Sequence, residues 1–340
     1  EKRYSSVDLS YNPDFIKIGE AYGIKSIQLT NKKNLKKNLK KICILSLCLF
    51  MATGCSINNK DASRSKQSPS TNTSESKSDK TKGMKVTYTN ISDKANKDLL
   101  ANLFDQAGIS KDRQKVFFDH LDQFNSSVDN KSLTGTFEES GVQDTKYDPY
   151  DMQDQWKKKN SDFEGYNCRI TSYGLFGDYI KASQAKTSDD TENLGIDLLS
   201  LTRDNSATKT DNEKNIFKNI FNEVKTIDTK DVNKHYEIFK KEWEARGVKF
   251  AKNDKASMVS VVFHSQIEKG KDSLFIGHVG IMLKAKDGVY FVEKVAFQEP
   301  YRLNKFKNKE ELKKYLMEKY DVEYDQPTAK PFVLENDSLI

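Results

Sequence analysis

Cys168 follows Gly165-Tyr166-Asn167 at the expected start of a helix, and it is the one cysteine beyond the first 55 residues. A thiol at a helix N-terminus meets unpaired backbone N–H groups and partial positive charge. Both favour the thiolate, and the same donors can serve a developing oxyanion. A thiol nucleophile needs a base to take its proton, and the chain offers only His120, His235, His264 and His278. His278 stands apart because it lies inside the strand-like run FIGHVGIML, between a glycine and Val279. Cys168 and His278 would together suit acyl transfer.

A third group is expected to orient the imidazole. Lys286-Asp287-Gly288 reads as a hairpin turn, and a two-residue turn at Asp287-Gly288 sets Met282 opposite Glu293 and Phe297 opposite His278. Glu293 then shares a sheet face with His278. It also lies on the order of 13 Å along the ladder, at about 3.3 Å per residue, beyond contact unless a longer turn or a bulge shifts the register. Gln298 and Glu299 stand beside it as alternative orienters.

The elements that must position these groups follow from periodicity. Ser92 caps the segment DKANKDLLANLFDQAG, in which Leu99, Leu100, Leu103 and Phe104 share one face up to Gly108. Ser110 opens a second helix with Val116, Phe117, Leu121 and Phe124 inward, so the two form a helical hairpin. A loop over 133–150 precedes a short charged helix around Trp156, and GYNCRITSYGLFGDYIK reads as a mostly buried helix. Amphipathic helices are expected over 211–225 and 230–246. The pattern then turns strand-like over Met258–His264, Leu274–Leu283 and Val289–Phe297. A last helix, Lys309–Tyr320, and a short strand near Pro331–Leu334 close the chain. Helices first and an antiparallel sheet afterwards make an α+β domain.

The 340 residues carry 56 Lys+Arg against 50 Asp+Glu. Residues 1–55 hold ten of the basic and four of the acidic side chains, so the rest of the chain is balanced and no nucleic-acid partner is expected. With 19 Phe and 15 Tyr the chain can build a core, which excludes collagen-like, disulfide-dense and wholly disordered classes. There is no CxxC pair, HExxH or phosphate-cradling glycine loop, so no metal and no cofactor is expected. Residues 36–41 (KKNLKK) run into the apolar ICILSLCLFMA and then Thr53-Gly54-Cys55. That stretch is too short to cross a bilayer core of about 30 Å as a helix, which makes 35–54 a signal peptide. Residues 56–84 contain eight Ser and no aromatic residue, a flexible tether between Cys55 and a domain over 85–340.

Four likenesses sharpen this reading. MATGC resembles the lipobox of bacterial lipoproteins, which implies a lipidated Cys55 and a membrane anchor on the outer face of the cytoplasmic membrane in a Gram-positive-type envelope. Residues 4–30, above all NPDFIKIGEAYGIK, resemble a piece of a thiamine-dependent acetolactate synthase large subunit, so 1–34 reads as an appended fragment. The helix-borne cysteine followed by HVGIML, a turn and a second strand resembles the papain-like cell-wall amidases and endopeptidases of the NlpC type. The whole stretch from 85, with YNCRITSYGLF and FIGHVGIML…FVEKVAFQEPY, is similar to a family of Gram-positive surface lipoproteins.

The NlpC-type likeness implies a papain-like fold with N-terminal helices packed on an antiparallel sheet. It implies Cys168 as nucleophile, His278 as base and Glu293 as the group fixing the tautomer. The Cys168 N–H, aided by Asn167 or Tyr166, would form the oxyanion hole, and Arg169 would either clamp a substrate carboxylate or make a structural ion pair. The substrate expected is an amide, a peptidoglycan stem peptide foremost, cleaved by a monomer. The competing class is a lipoprotein that uses the same scaffold, without turnover, to bind a peptide or protein partner. Geometry separates them: a hydrolase needs the Cys168 sulfur and a His278 nitrogen within hydrogen-bond reach in an open groove, whereas a scaffold protein can bury either one.

Overall fold

A computed structural model describes residues 83–183, 192–322 and 327–340. The fragment at 1–34, the signal at 35–54, Cys55 and the tether as far as residue 82 lie outside the described residues. In chain order the elements are β1 (Lys85–Thr89), α1 (Lys94–Gln106), α2 (Lys111–Ser127), β2 (Glu138–Gly141), α3 (Pro149–Asn160), α4 (Cys168–Phe176), β3 (Ile180–Lys181), α5 (Gly195–Arg203), α6 (Asp211–Phe221), β4 (Val224–Lys225), α7 (Val232–Ala245), β5 (Lys249–Phe250), β6 (Ala256–Glu268), β7 (Lys271–Ala285), β8 (Gly288–Lys294), β9 (Tyr301–Phe306), α8 (Lys309–Tyr320), β10 (Phe332–Glu335) and β11 (Ser338–Leu339). This is a mixed α+β architecture. Among the described residues no helix is long and apolar enough to cross a membrane.

Helix starts follow side-chain capping. Asp93 accepts from Asn96 N–H to open α1, and Thr210 with Glu213 forms a capping box on α6. Asn308 caps α8 through Glu311 N–H. The first cap is therefore Asp93 in place of Ser92, whose hydroxyl sits one residue too early for α1. The helix expected over 211–225 stops at Phe221, because Val224 and Lys225 pair with Leu274 and Ser273 as β4.

The main sheet is antiparallel, in the order β11-β10-β6-β7-β8-β9-β1-β2, with β4 added alongside β7. The helices-first order is thus amended: among the described residues β1 precedes every helix, yet it enters the sheet between β9 and β2. Apolar residues fill both faces of the sheet. One core joins Ile276, Val279, Ile281, Tyr301 and Leu303 to helical residues such as Leu100, Phe117, Tyr173, Phe217 and Trp243. The other joins Val259, Val261, Met282 and Phe291 to Leu312, Tyr315, Leu316 and Tyr320 of α8.

The β7–β8 hairpin corrects the expected register. Ala285 pairs with Gly288, Met282 with Phe291 and Ile281 with Val292, so the connection is Lys286-Asp287. Gly288 enters the strand at φ 134°, where an added Cβ would lie 2.3 Å from the Phe306 carbonyl oxygen; only glycine fits. Compared with the expected pairing, β8 slides by two residues. An even shift keeps every side chain on its face and halves the distance between His278 and Glu293 along the ladder.

Candidate active site

Helix α4 is almost wholly buried, and Cys168 at its first position is 6% exposed. Asn167 makes the start possible: its side chain accepts from Ile170 N–H at 3.0 Å, and its amide donates to Asp197 Oδ1 at 2.8 Å. Asp197, on α5 and 1% exposed, also takes a bidentate pair from Arg169 at 2.8 and 2.7 Å. One carboxylate therefore fixes the residues on both sides of the thiol. Arg169 and Ser172 reach the carbonyls of Ile276 and Val279 at 3.2 Å each. These carbonyls belong to the stretch of β7 between its pairing with β4 at Ser273–Leu274 and its pairing with β8 from Ile281 onward. The cysteine helix thus docks on β7 where neither neighbouring strand occupies its edge.

His278 lies in that same stretch, directly after a bulge. Val261 pairs with His278 and Val262 with Ile276, so Gly277 is skipped, and a Cβ on Gly277 would lie 2.3 Å from the Phe263 ring. Bulges re-aim the side chains beside them. Here the imidazole sits among residues of the α8-facing core, stacked on Tyr320 with ring centroids 4.7 Å apart. The thiol reaches it from the helical side.

His278 Nε2 lies 2.6 Å from Glu293 Oε2. The other carboxylate oxygen, Oε1, accepts from Asn304 Nδ2 at 2.8 Å and Tyr315 hydroxyl at 2.6 Å. With Nε2 committed to Glu293, Nδ1 is the imidazole atom left for Cys168, whose thiol and the His278 ring each shift the other's protonation.

The charges of this line reinforce one another. Burial pushes the Cys168 thiol up, but the hydrogen bond and positive charge of His278, joined by the Arg169 guanidinium, outweigh it and hold the thiol below its ordinary value. Burial pulls His278 down, while its bonds to Cys168 and Glu293 raise it to about 9. Burial also opposes ionisation of Glu293, yet His278, the charge of Lys319 and the Tyr315 hydroxyl hold it well below the usual carboxylate range. All three shifts lean toward the charged forms: thiolate, imidazolium and carboxylate. Such a pair can attack an electrophilic carbonyl and return a proton to the leaving group.

The other residues expected at the site have the following partners. The Asn167 side chain is committed to capping Ile170 N–H and to Asp197, and does not serve an oxyanion. Tyr166 donates to Asp204 at 2.6 Å, with Gln123 Oε1 2.9 Å from the same hydroxyl and the Tyr166 ring stacked on His120 at 3.6 Å, which pins loop to helix. Arg169 makes the structural ion pair with Asp197. Of the alternative orienters, Glu299 is held by Tyr147 hydroxyl at 2.6 Å, and Glu293 is the residue at the imidazole.

Other contributors were not singled out from the sequence. Asp197 is a lone carboxylate among the apolar residues of GIDLLSLTR, a signal that could have drawn attention. Asn304 and Arg302 are buried polar residues on β9, where the apolar–polar alternation of Tyr301–Asn304 was a signal that could have drawn attention to the strand. Tyr315 and Tyr320 read as ordinary core residues of α8. Lys294 is fully buried with its charge influenced by Cys168; its ammonium donates to the carbonyls of Ala296 at 2.7 Å, Phe297 at 3.1 Å and Glu299, shaping the β8–β9 loop. Among the described residues no cluster of His, Cys, Asp and Glu is arranged to hold a metal ion.

Residues 87–340 match the family described as Domain of unknown function (DUF4300). No curated protein and no solved structure matches the chain.

Proposed function

We propose, for a chain that belongs to the DUF4300 family, a papain-like thiol hydrolase that cleaves amide bonds. The observation that carries this reading is the line Cys168–His278–Glu293, with the imidazole electrostatically coupled to the thiol on one side and hydrogen-bonded to a buried carboxylate at 2.6 Å on the other. The Cys168 thiolate attacks the carbonyl carbon, and its first-turn backbone N–H groups receive the developing oxyanion. The C–N bond then breaks as the His278 Nδ1 proton passes to the leaving amine, giving a thioester. Water, deprotonated by His278, releases the acid and restores the pair. Glu293 holds Nε2 protonated throughout. The lipobox-like MATGC and the serine-rich tether support a location outside the cytoplasmic membrane, with a lipid on Cys55 as the anchor and peptidoglycan stem peptides as the substrate class.

A second reading is favoured by one observation, the cover over the site: Cys168 is 6% and His278 1% exposed. In it the same scaffold binds a peptide or protein partner on the cell surface, and the Cys–His–Glu line is internal structure. Incubation with peptidoglycan stem peptides separates the two. The hydrolase reading expects cleavage that Cys168→Ala abolishes and Cys168→Ser nearly abolishes. Binding of the peptides without cleavage, equal in wild type and Cys168→Ala, supports the second.

A further inference from the structure

We propose that Tyr315 is a positioning residue for the His278–Glu293 pair, its hydroxyl filling Glu293 Oε1 beside the Asn304 amide so that Oε2 stays ionised and reserved for the imidazole. The proposal rests on the reading of Cys168 and His278 as nucleophile and base. Tyr315 comes from α8, which packs on the sheet face opposite the core of the cysteine helix.

The argument is one of donors and acceptors. Glu293 is 0% exposed, and its carboxylate meets three groups: Tyr315 hydroxyl at 2.6 Å and Asn304 Nδ2 at 2.8 Å on Oε1, and His278 Nε2 at 2.6 Å on Oε2. The Asn304 amide is oriented by its surroundings, because the nitrogen that faces Glu293 also donates to the Phe291 carbonyl at 3.3 Å. An amide nitrogen only donates, so a proton on Oε1 would lose that bond. A proton on Oε2 would displace the imidazole N–H. Three donors thus select the anion. An ionised Glu293 keeps the Nε2 proton in place, which leaves Nδ1 as the atom that trades a proton with Cys168. Removing the phenol oxygen takes one of two donors from Oε1 in a buried site. The carboxylate then favours His278 protonation less, and the thiol titrates higher. The effect travels from Tyr315 to Cys168 with no contact between them being required.

Tyr315→Phe tests this, because the ring against Phe306, 5.3 Å between centroids, is retained. In the chain with Cys43, Cys48 and Cys55 replaced by Ser, thiolate absorbance is titrated against pH and referenced to the matching Cys168→Ser protein. The expected result is a depressed thiol midpoint in wild type and a rise of roughly half to one pH unit in Tyr315→Phe. Alkylation of Cys168 by iodoacetamide at neutral pH should slow in parallel, about 3- to 10-fold. An unchanged midpoint in folded Tyr315→Phe overturns the proposal, since a merely structural role would lower the melting temperature and leave the titration alone. A wild-type midpoint at the ordinary thiol value overturns instead the reading of the site. If Tyr315→Phe does not fold, Asn304→Ala removes the other donor to the same oxygen. The same upward shift is then expected, and its absence is equally decisive.

Discussion

His278 and Glu293 meet across a diagonal of the β7–β8 ladder, Nε2 to Oε2 at 2.6 Å, with the Lys286-Asp287 turn fixing the register that brings them together. Two side chains on one face, offset by two positions, lie within reach of each other when they are long. The relationship depends on the turn and on the bulge at Gly277, so the chemistry of the site rests on backbone details of one hairpin.

The first prediction concerns stability against pH. His278 is raised to about 9, above the ordinary histidine value of about 6.5. A raised histidine contributes stability that is fully present below about 6.5 and is lost as pH rises through about 9. Glu293→Gln removes the partner that supplies much of this. Urea denaturation of both proteins should give a gap of about 2–3 kcal/mol at pH 6 that narrows by pH 10. A gap that does not change with pH would show that His278 is neutral in the folded protein.

The second concerns the start of the cysteine helix. Arg169→Gln leaves the buried Asp197 carboxylate with only the Asn167 amide of its present partners on that side. Loss of about 3 kcal/mol is expected from breaking a buried pair. Because the guanidinium also helps hold the thiol down, the Cys168 midpoint should rise. Stability without a midpoint change would place Arg169 outside the electrostatics of the site.

The third tests the fit of the strands. A Cβ on Gly280 would lie 2.4 Å from the Phe291 ring and 2.6 Å from the Val292 carbonyl oxygen, and the latter is backbone that cannot swing aside. Gly280→Ala should therefore cost about 1–3 kcal/mol and weaken the hairpin that aligns Glu293. A melting temperature equal to wild type would contradict this packing.

Much of the arrangement was legible in the sequence, for identifiable reasons. Helix α8 was read at its observed limits because its apolar spacing and Asn308 cap agree. Cys168 at a helix head and His278 on a strand were visible because Asn167 is a strong N-cap and FIGHVGIML is β-branched and apolar. The Glu293 contact was not, since a turn displaced by one residue changes cross-strand partners by two. Strand β9 was passed over because YRLNKF is a short run in which charged and polar residues are mixed with apolar ones, although Arg302 and Asn304 are buried. The place of β1 between β9 and β2 is a long-range pairing that no local pattern encodes.

The most direct test of the central claim is the pH dependence of Cys168 alkylation by iodoacetamide, in the chain with Cys43, Cys48 and Cys55 replaced by Ser, beside the same chain carrying His278→Ala. The account predicts labelling of the folded protein that persists well below the ordinary thiol pKa of about 8.5 and shifts upward when His278 is lost. An ordinary thiol titration indifferent to His278, or no labelling until the protein unfolds, would contradict it.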